Sequence, residues 1–281
     1  NKSLLENFIS KIVYIIIFNI NIMIPNLVFI VPYRDRKPQK KVFECVMSDI
    51  LKGKNYKIFF IHQNDKRPFN RGAIKNLGFL YIKKTYPEDY KNITIVFHDI
   101  DFLPYYKNQF DYNTNDGVIK HFFGYKNTLG GMVSIKACDF EKINGFPNIW
   151  TWGLEDNILQ KRCKKAGFKI DRSNFLHGGK DEDKIITLWH GWDRLINKKI
   201  GPKLHISHNM DGYSILRQIK WNTQNISEKM EIVNITHFET DESHLNATSD
   251  AKFLNSRYNQ VFSKINTQKK LNKKKGLLQF N

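Results

Sequence analysis

Five consecutive apolar residues, Leu27-Val28-Phe29-Ile30-Val31, predict a buried strand, and Val42, Phe43, Val46, Ile50 and Leu51 then return at helical spacing. The pattern repeats. Lys57-Ile58-Phe59-Phe60-Ile61 predicts a second strand, Ile74, Leu77, Leu80 and Tyr81 a helix stopping near Pro87, and Ile93-Thr94-Ile95-Val96-Phe97 a third strand. Such a βαβαβ run makes parallel strands with right-handed connections, and open α/β sheets bind ligands at the carboxyl ends of their strands. The polar clusters Pro32-Tyr33-Arg34-Asp35-Arg36, His62-Gln63-Asn64-Asp65 and His98-Asp99-Ile100-Asp101 all fall there. After Asp101 the chain reads as irregular and aromatic. Gly130 to Ile135 then predicts a strand, Asp139 to Ile143 a short helix and Gly145-Phe146-Pro147-Asn148 a turn. Trp150 to Asn157 leads into a helix with Ile158, Leu159, Cys163 and Ala166 on its apolar face, ended by Gly167. Beyond Asp171 the pattern is mixed, with weak strands near Glu231 to Ile235.

The 281 residues, 41% hydrophobic, suffice for one substantial core and argue against wholesale disorder; no heptad or solenoid period is present. The expectation is one α/β domain. A net charge of +18 would attract polyanions, anionic membranes or phosphorylated small molecules. Much of that excess is Lys in an Asn/Lys/Ile-rich background, so nucleic acid is disfavoured as a partner, and residues 266–281 read as a solvated basic tail. Cys45, Cys138 and Cys163 lack zinc-site spacing and are expected as reduced, buried thiols. The apolar stretch within residues 8–24 is short and interrupted. Residues 1–24 are a candidate leader or membrane anchor, leaving 25–265 for the catalytic domain.

Asp99 and Asp101 flank one apolar residue at a strand end, so extended backbone would project both carboxylates from one face, within reach of one hard cation. Arg34, Arg36 and Arg71 are directed to the same rim, where guanidinium forks suit phosphates. Together these suggest a metal-bound nucleotide diphosphate. Glu155 and Asp156 open a helix, where the dipole favours carboxylates, and capping alone would account for them. Trp150 and Trp152 beside acids also fit sugar recognition, with a carboxylate as general base. Among the histidines, His98, His177, His190, His205 and His208 lie in polar local sequence, and residue chemistry alone selects none of them as a metal ligand.

In order, Val31-Pro32-Tyr33-Arg34-Asp35-Arg36, Phe69-Asn70-Arg71-Gly72, Asp99-Ile100-Asp101, Gly130-Gly131, Asn144-Gly145-Phe146-Pro147-Asn148 and Trp150-Thr151-Trp152-Gly153-Leu154-Glu155-Asp156 give a combined signature. On these motifs the chain, over about residues 27 to 240, resembles the β-1,4-galactosyltransferase family of metal-dependent, inverting glycosyltransferases. The resemblance implies a GT-A fold, a Rossmann-like mixed sheet flanked by helices in a single catalytic domain. It also implies a UDP-sugar donor, a sugar or glycoconjugate acceptor, and Mn²⁺, with Mg²⁺ as substitute. Residue by residue, it places Pro32, Tyr33, Arg34, Arg36, Phe69, Arg71 and Asp99 on the donor, with Trp152 and Gly153 of a mobile loop. Asp101 and His177 then become the metal ligands, Glu155 a sugar-hydroxyl acceptor and Asp156 the catalytic base.

Departures narrow the expectation. Thr151, Leu154 and Asn157 replace two glycines and an acid of the family pattern, which bears on loop mobility and acceptor choice; Asn174 and Phe175 stand where some members place another metal ligand. Thr128 stands where galactose-selective members carry tyrosine, leaving room for an N-acetyl group, so galactose and N-acetylgalactosamine are both expected donors. The alternatives are transfer of xylose, GlcNAc or glucose, or an inactive glycan- or nucleotide-binding relative. Asn-x-Ser/Thr triplets at Asn92, Asn225, Asn234 and Asn246 fit a Golgi-like lumen weakly, and a cytoplasmic location follows if residues 1–24 are not an anchor.

Overall fold

The computed structural model describes residues 24–150, 153–189 and 211–241, with the backbone of two short strands at 195–196 and 248–249. Trp152, His190, His205, His208, the basic tail and all but the end of the candidate anchor lie outside the described residues. Among the described residues no helix is long and apolar enough to cross a membrane.

The elements are β1 (Leu27–Tyr33), α1 (Lys37–Ile50), β2 (Tyr56–Gln63), α2 (Arg71–Thr85), β3 (Thr94–His98), β4 (Phe102–Leu103), β5 (Val118–Gly124) and β6 (Met132–Lys136). Then follow α3 (Ala137–Lys142), α4 (Glu155–Lys165), β7 (Lys169–Asp171), β8 (Leu176–His177), β9 (Ile186–Thr187), β10 (Leu195–Ile196), β11 (Arg217–Ser227), β12 (Met230–Glu239) and β13 (Thr248–Ser249). The main sheet runs β11-β12-β2-β1-β3-β6-β5-β7, with β8 also pairing β5. β2, β1 and β3 are parallel, as the crossover rule requires, and β12 adds to β2 in parallel; β6 is antiparallel to both β3 and β5.

Period-two alternation divides the core between two faces. Val28, Ile30, Phe59, Ile61, Ile95 and Phe97 pack with α2, α3 and α4, whereas Leu27, Phe29, Val31, Ile58, Phe60 and Val96 pack with Phe43, Met47 and Ile50 of α1. Helices on both faces of a mixed sheet leave one rim, the carboxyl ends of β1, β2 and β3, open for chemistry.

Two strands differ from the sequence expectation. β5 falls within the stretch read as irregular, because its apolar positions follow a polar run and its aromatic residues mask the alternation. β11 forms the sheet edge and is exposed at most positions, so hydrophobic patterning carries little trace of it. Its partner β12 is longer than the weak strand foreseen. Of the three cysteines, Cys163 alone is buried; Cys45 is exposed and Cys138 half-buried, all three free.

Candidate active site

The rim is assembled by helix starts. Asn70 caps α2, its Oδ1 accepting from the Ala73 amide at 2.9 Å, and its own amide donates to Gln63 Oε1 at 2.8 Å. Gln63 also donates to Asp65 and to the Pro68 carbonyl, so the polar cluster after β2 braces the α2 entrance. Gly72 permits a close approach to the Gly145–Asn148 turn, since a Cβ there would collide with the Pro147 carbonyl. Asn76 clamps that turn, donating to the Phe146 carbonyl and to Asn148 Oδ1 and accepting from the Phe146 amide. Arg71 is thereby fixed at the first position of α2, facing the end of β3.

Arg71 joins the two acidic clusters. Its guanidinium forms an ion pair with Asp99 and lies 3.8 Å from Glu155 Oε1. Burial opposes its charge, but Asp99, Asp156 and Glu155 raise its pKa further, so it stays cationic. Burial likewise opposes ionisation of Asp99, yet Arg71 and Lys75 hold its carboxyl below the usual range. For Glu155, 3% exposed, burial and then the neighbouring Asp156 charge win over Arg71 and Lys75 and push the carboxyl up.

The start of α4 separates the roles of its two acids. Glu155 Oε2 accepts from the Gly153 amide at 3.1 Å, which ties the preceding loop to the first turn; Leu154 at the N-cap makes no side-chain cap, so the capping expectation is not met. Asp156 does no capping: its Oδ1 accepts from Lys75 Nζ at 2.8 Å, and its carboxylate rests against Gly130, where a Cβ would overlap Oδ2. Leu154 precedes them at φ +72°, the left-handed region that suits glycine. Leucine holds that conformation at a cost of about 1–2 kcal/mol, and half-buried contact with Ile149 and Ile158 offsets part of it.

The paired aspartates diverge. β3 ends at His98, and Asp99 to Asp101 lie in a turn, so the expectation of two carboxylates projecting from one face of extended backbone is corrected. Asp99 turns to Arg71, while Asp101 faces Arg36, with Nε 3.8 Å from Oδ1. The Asp101 carbonyl accepts from the Leu188 amide at 2.7 Å, and β4 pairs β9, so the chain after His177 folds over the aspartate turn. Phe102 packs on Phe123 with ring centroids 4.5 Å apart, and Gly124 pairs His177 across β5 and β8. Asp101 and His177 therefore belong to one corner of the rim. His177 Nδ1 lies 2.6 Å from the Gly178 carbonyl, which can only accept, so Nδ1 carries a proton and Nε2 is the nitrogen left for a metal. A carboxylate plus an imidazole so oriented fits Mn²⁺.

Arg34 donates to the Arg67 carbonyl at 2.5 Å, and Tyr33 packs on His62 with centroids 4.9 Å apart. Pro32 is buried, and Phe69 packs half-buried against the core. Trp150 corrects the sugar-platform expectation: it is 2% exposed, stacked on Phe238 at 5.3 Å, under Arg67, with Nε1 donating to Thr240. His98 is likewise a core residue, ringed by Phe29, Phe43 and Tyr112. Asp116, Cys138 and Asp139 form a separate ligand-like grouping at the opposite ends of β5 and β6. Asp139 there is occupied by Lys142 and the Gly117 amide.

Three residues of this network were not singled out from sequence: Lys75, His121 and Arg172. Arg172 Nε donates to His121 Nδ1 at 3.0 Å, so His121 Nε2 donates to the Gly130 and Phe123 carbonyls and secures the turn under Asp156. Burial depresses both His98 and His121 to about 4, with the Arg172 charge adding to the effect at His121. Unfolded histidine takes a proton below about 6.5, so folding excludes protons that the unfolded chain binds between there and about 4. Unfolding free energy is therefore expected to be greatest above pH 6.5 and to fall on acidification to pH 4. The loss is on the order of 3 kcal/mol for each buried histidine, readable from urea midpoints. Asp99 acts with the opposite sign and in a lower window, since its depressed carboxyl loses its contribution only as pH falls below about 3.8.

Residues 23–113 match the family model described as the N-terminal region of glycosyl transferase group 7, and residues 118–187 match that of the N-terminal domain of galactosyltransferase. Together they span more than half of the chain. The chain belongs to the β-1,4-galactosyltransferase family. Among its relatives, β-1,4-galactosyltransferase 7 of Drosophila melanogaster is 32% identical over 168 residues, 56% of this chain and 50% of that protein. Mouse β-1,4-galactosyltransferase 6 is 31% identical over 156 residues, 51% of this chain and 39% of that protein. The chain thus spans about half the length, or less, of these relatives.

The catalytic domain of Drosophila β-1,4-galactosyltransferase 7, solved with xylobiose, superposes with a TM-score of 0.63 at 24% identity, over 78% of this chain and 96% of that one. A mutant of the same protein, solved with manganese, UDP-Gal and xylobiose, gives a TM-score of 0.60 at 22% identity, with the same coverages. The mixed sheet flanked by helices is therefore the GT-A-type galactosyltransferase fold. Every described family motif borders the rim or braces it, including the Asn144–Asn148 turn, which is locked between Asn76 and Asp211.

Proposed function

We propose that this chain is an inverting, metal-dependent glycosyltransferase that moves galactose or N-acetylgalactosamine from a UDP-sugar to a hydroxyl of a sugar or glycoconjugate acceptor. The observation that carries the reading is Arg71, one guanidinium facing Asp99 at the end of β3 and Glu155 at the start of α4, so that two acidic clusters distant in sequence meet at one side chain. The manganese, UDP-Gal and xylobiose held by the structural relative support the same chemistry.

Asp101 and His177 would hold Mn²⁺, which when bound neutralises charge developing on the departing diphosphate. Arg34 and Arg36, on the loop after β1, face the same phosphates, and Asp99 takes the nucleotide sugar while Arg71 keeps it ionised. Glu155 accepts a hydroxyl of the bound sugar. Asp156 takes the acceptor's proton as its oxygen attacks the anomeric carbon from the face opposite UDP, and the configuration inverts. Thr128 borders the Gly130–Gly131 turn with a short side chain, which supports room for an N-acetyl group.

Gly130→Ala tests the seat of the base. The added methyl displaces the Asp156 carboxylate while the backbone stands, so kcat is expected to fall by about 10²-fold with little change in the thermal midpoint. The function itself is tested by UDP release from UDP-galactose, UDP-N-acetylgalactosamine, UDP-xylose, UDP-GlcNAc and UDP-glucose. Each is assayed with Mn²⁺ or EDTA, and with or without xylobiose and other sugar acceptors. Mn²⁺-dependent, acceptor-stimulated release from one of the first two is expected; a folded protein inert toward all five, or indifferent to EDTA, removes the proposal.

A further inference from the structure

Lys75 is 1% exposed, on the face of α2 that otherwise packs Ile74, Leu77 and Phe79. An ammonium is costly to desolvate, and an unbranched apolar side chain would fill the same space. Its placement is specific. Lys75 lies one helical turn beyond Arg71, so both cations point toward the start of α4. Its Nζ contacts Asp156 Oδ1 at 2.8 Å, and the Phe146 ring lies 4.3 Å beneath it. Gly130 bounds the other side of the carboxylate. One oxygen is thus anchored by a cation while Oδ2 lies beside Gly130, with the side chain 16% exposed.

We propose that Lys75 is a positioning residue for Asp156: it fixes Oδ1 and thereby presents Oδ2 to the acceptor hydroxyl. The inference rests on the reading of Asp156 as the base. In the step, the acceptor O–H proton passes to Oδ2 and the hydroxyl oxygen forms the new bond to the anomeric carbon. The old anomeric C–O bond breaks with its electron pair leaving on UDP, and Oδ1, now carbonyl-like, stays hydrogen-bonded to the ammonium. A carboxylate held at both sides loses no orientation when it takes the proton. A mere fastener between α2 and α4 would act whether or not Asp156 can accept a proton, and that difference is measurable.

The experiment compares wild type, K75M, K75R, D156N and K75M/D156N as full chains. Each is assayed with Mn²⁺ and whichever of UDP-galactose and UDP-N-acetylgalactosamine the wild type turns over, with folding checked by circular dichroism. K75M is expected to lose about 10²-fold in kcat with donor KM within about 3-fold, and K75R to regain about 10-fold. In the D156N background, K75M is expected to change the residual rate by less than about 3-fold, because the group through which it acts is gone. Should K75M not fold, K75Q takes its place with the same expectations. A K75M rate within about 3-fold of wild type, or an equal loss in both backgrounds, overturns the proposal. If D156N itself matches wild type, the base assignment fails first; an active wild type, an impaired D156N and an unimpaired K75M remove Lys75 alone.

Discussion

Asp156→Asn is expected to lower kcat by about 10²–10⁴-fold while the donor KM moves little. The substitution preserves shape. The amide oxygen can still accept from Lys75, which now donates at 2.8 Å, and the side chain still clears Gly130, so neither helix need shift. What disappears is the ability to take a proton from the acceptor hydroxyl in the transition state, worth about 3–5 kcal/mol of barrier for that range. Asp99 and the metal corner proposed at Asp101 and His177 are untouched, and donor binding is expected to persist with them. Initial rates of UDP release at saturating donor, alongside Mn²⁺-dependent UDP binding by calorimetry, separate the two. Turnover within about 3-fold of wild type with a working acceptor would falsify the role assigned to Asp156.

The parts of this arrangement legible in the sequence are those with a local signature. β1, β2 and β3 are apolar runs of strand length, each followed by a polar cluster, and parallel connection then places those clusters on one rim without any contact being known. The acids at 99, 101, 155 and 156 could be singled out because they come in close pairs at a strand end and a helix start, beside a run of family motifs. Partnerships that depend on distant residues were not legible. Trp150 looks like a sugar platform beside Glu155 and Asp156, yet it is buried, with Phe238 and Arg67 packed on its ring and Thr240 taking its nitrogen. Lys75 breaks the apolar face of α2 and periodicity treats it as noise, because the carboxylate it meets lies on another helix. A charged residue inside an otherwise apolar helical stripe is the signal that would have found it. The D-x-D pair looks symmetrical in sequence, and Arg71 and Arg36, arriving from the starts of different helices, make its halves unequal.

That inequality yields the second large effect. Asp101→Ala is expected to abolish Mn²⁺-dependent UDP binding and with it turnover, while leaving the fold almost as stable as before. The Asp101–Arg36 pair is long, 3.8 Å, and partly exposed, so the pair itself contributes on the order of 1 kcal/mol or less. Asp99→Ala should behave otherwise. Its carboxylate is closely ion-paired with a half-buried guanidinium, and deleting it leaves Arg71 with the 3.8 Å contact to Glu155 as its nearest remaining ion pair. Breaking a close, half-buried pair from one side costs more than losing a long one, so urea midpoints should drop further for Asp99→Ala than for Asp101→Ala. Calorimetric titration of UDP with and without Mn²⁺ supplies the other axis. Metal-dependent binding that survives in Asp101→Ala would place the ion elsewhere on the rim, and a stability loss equal to that of Asp99→Ala would make the second aspartate structural as well.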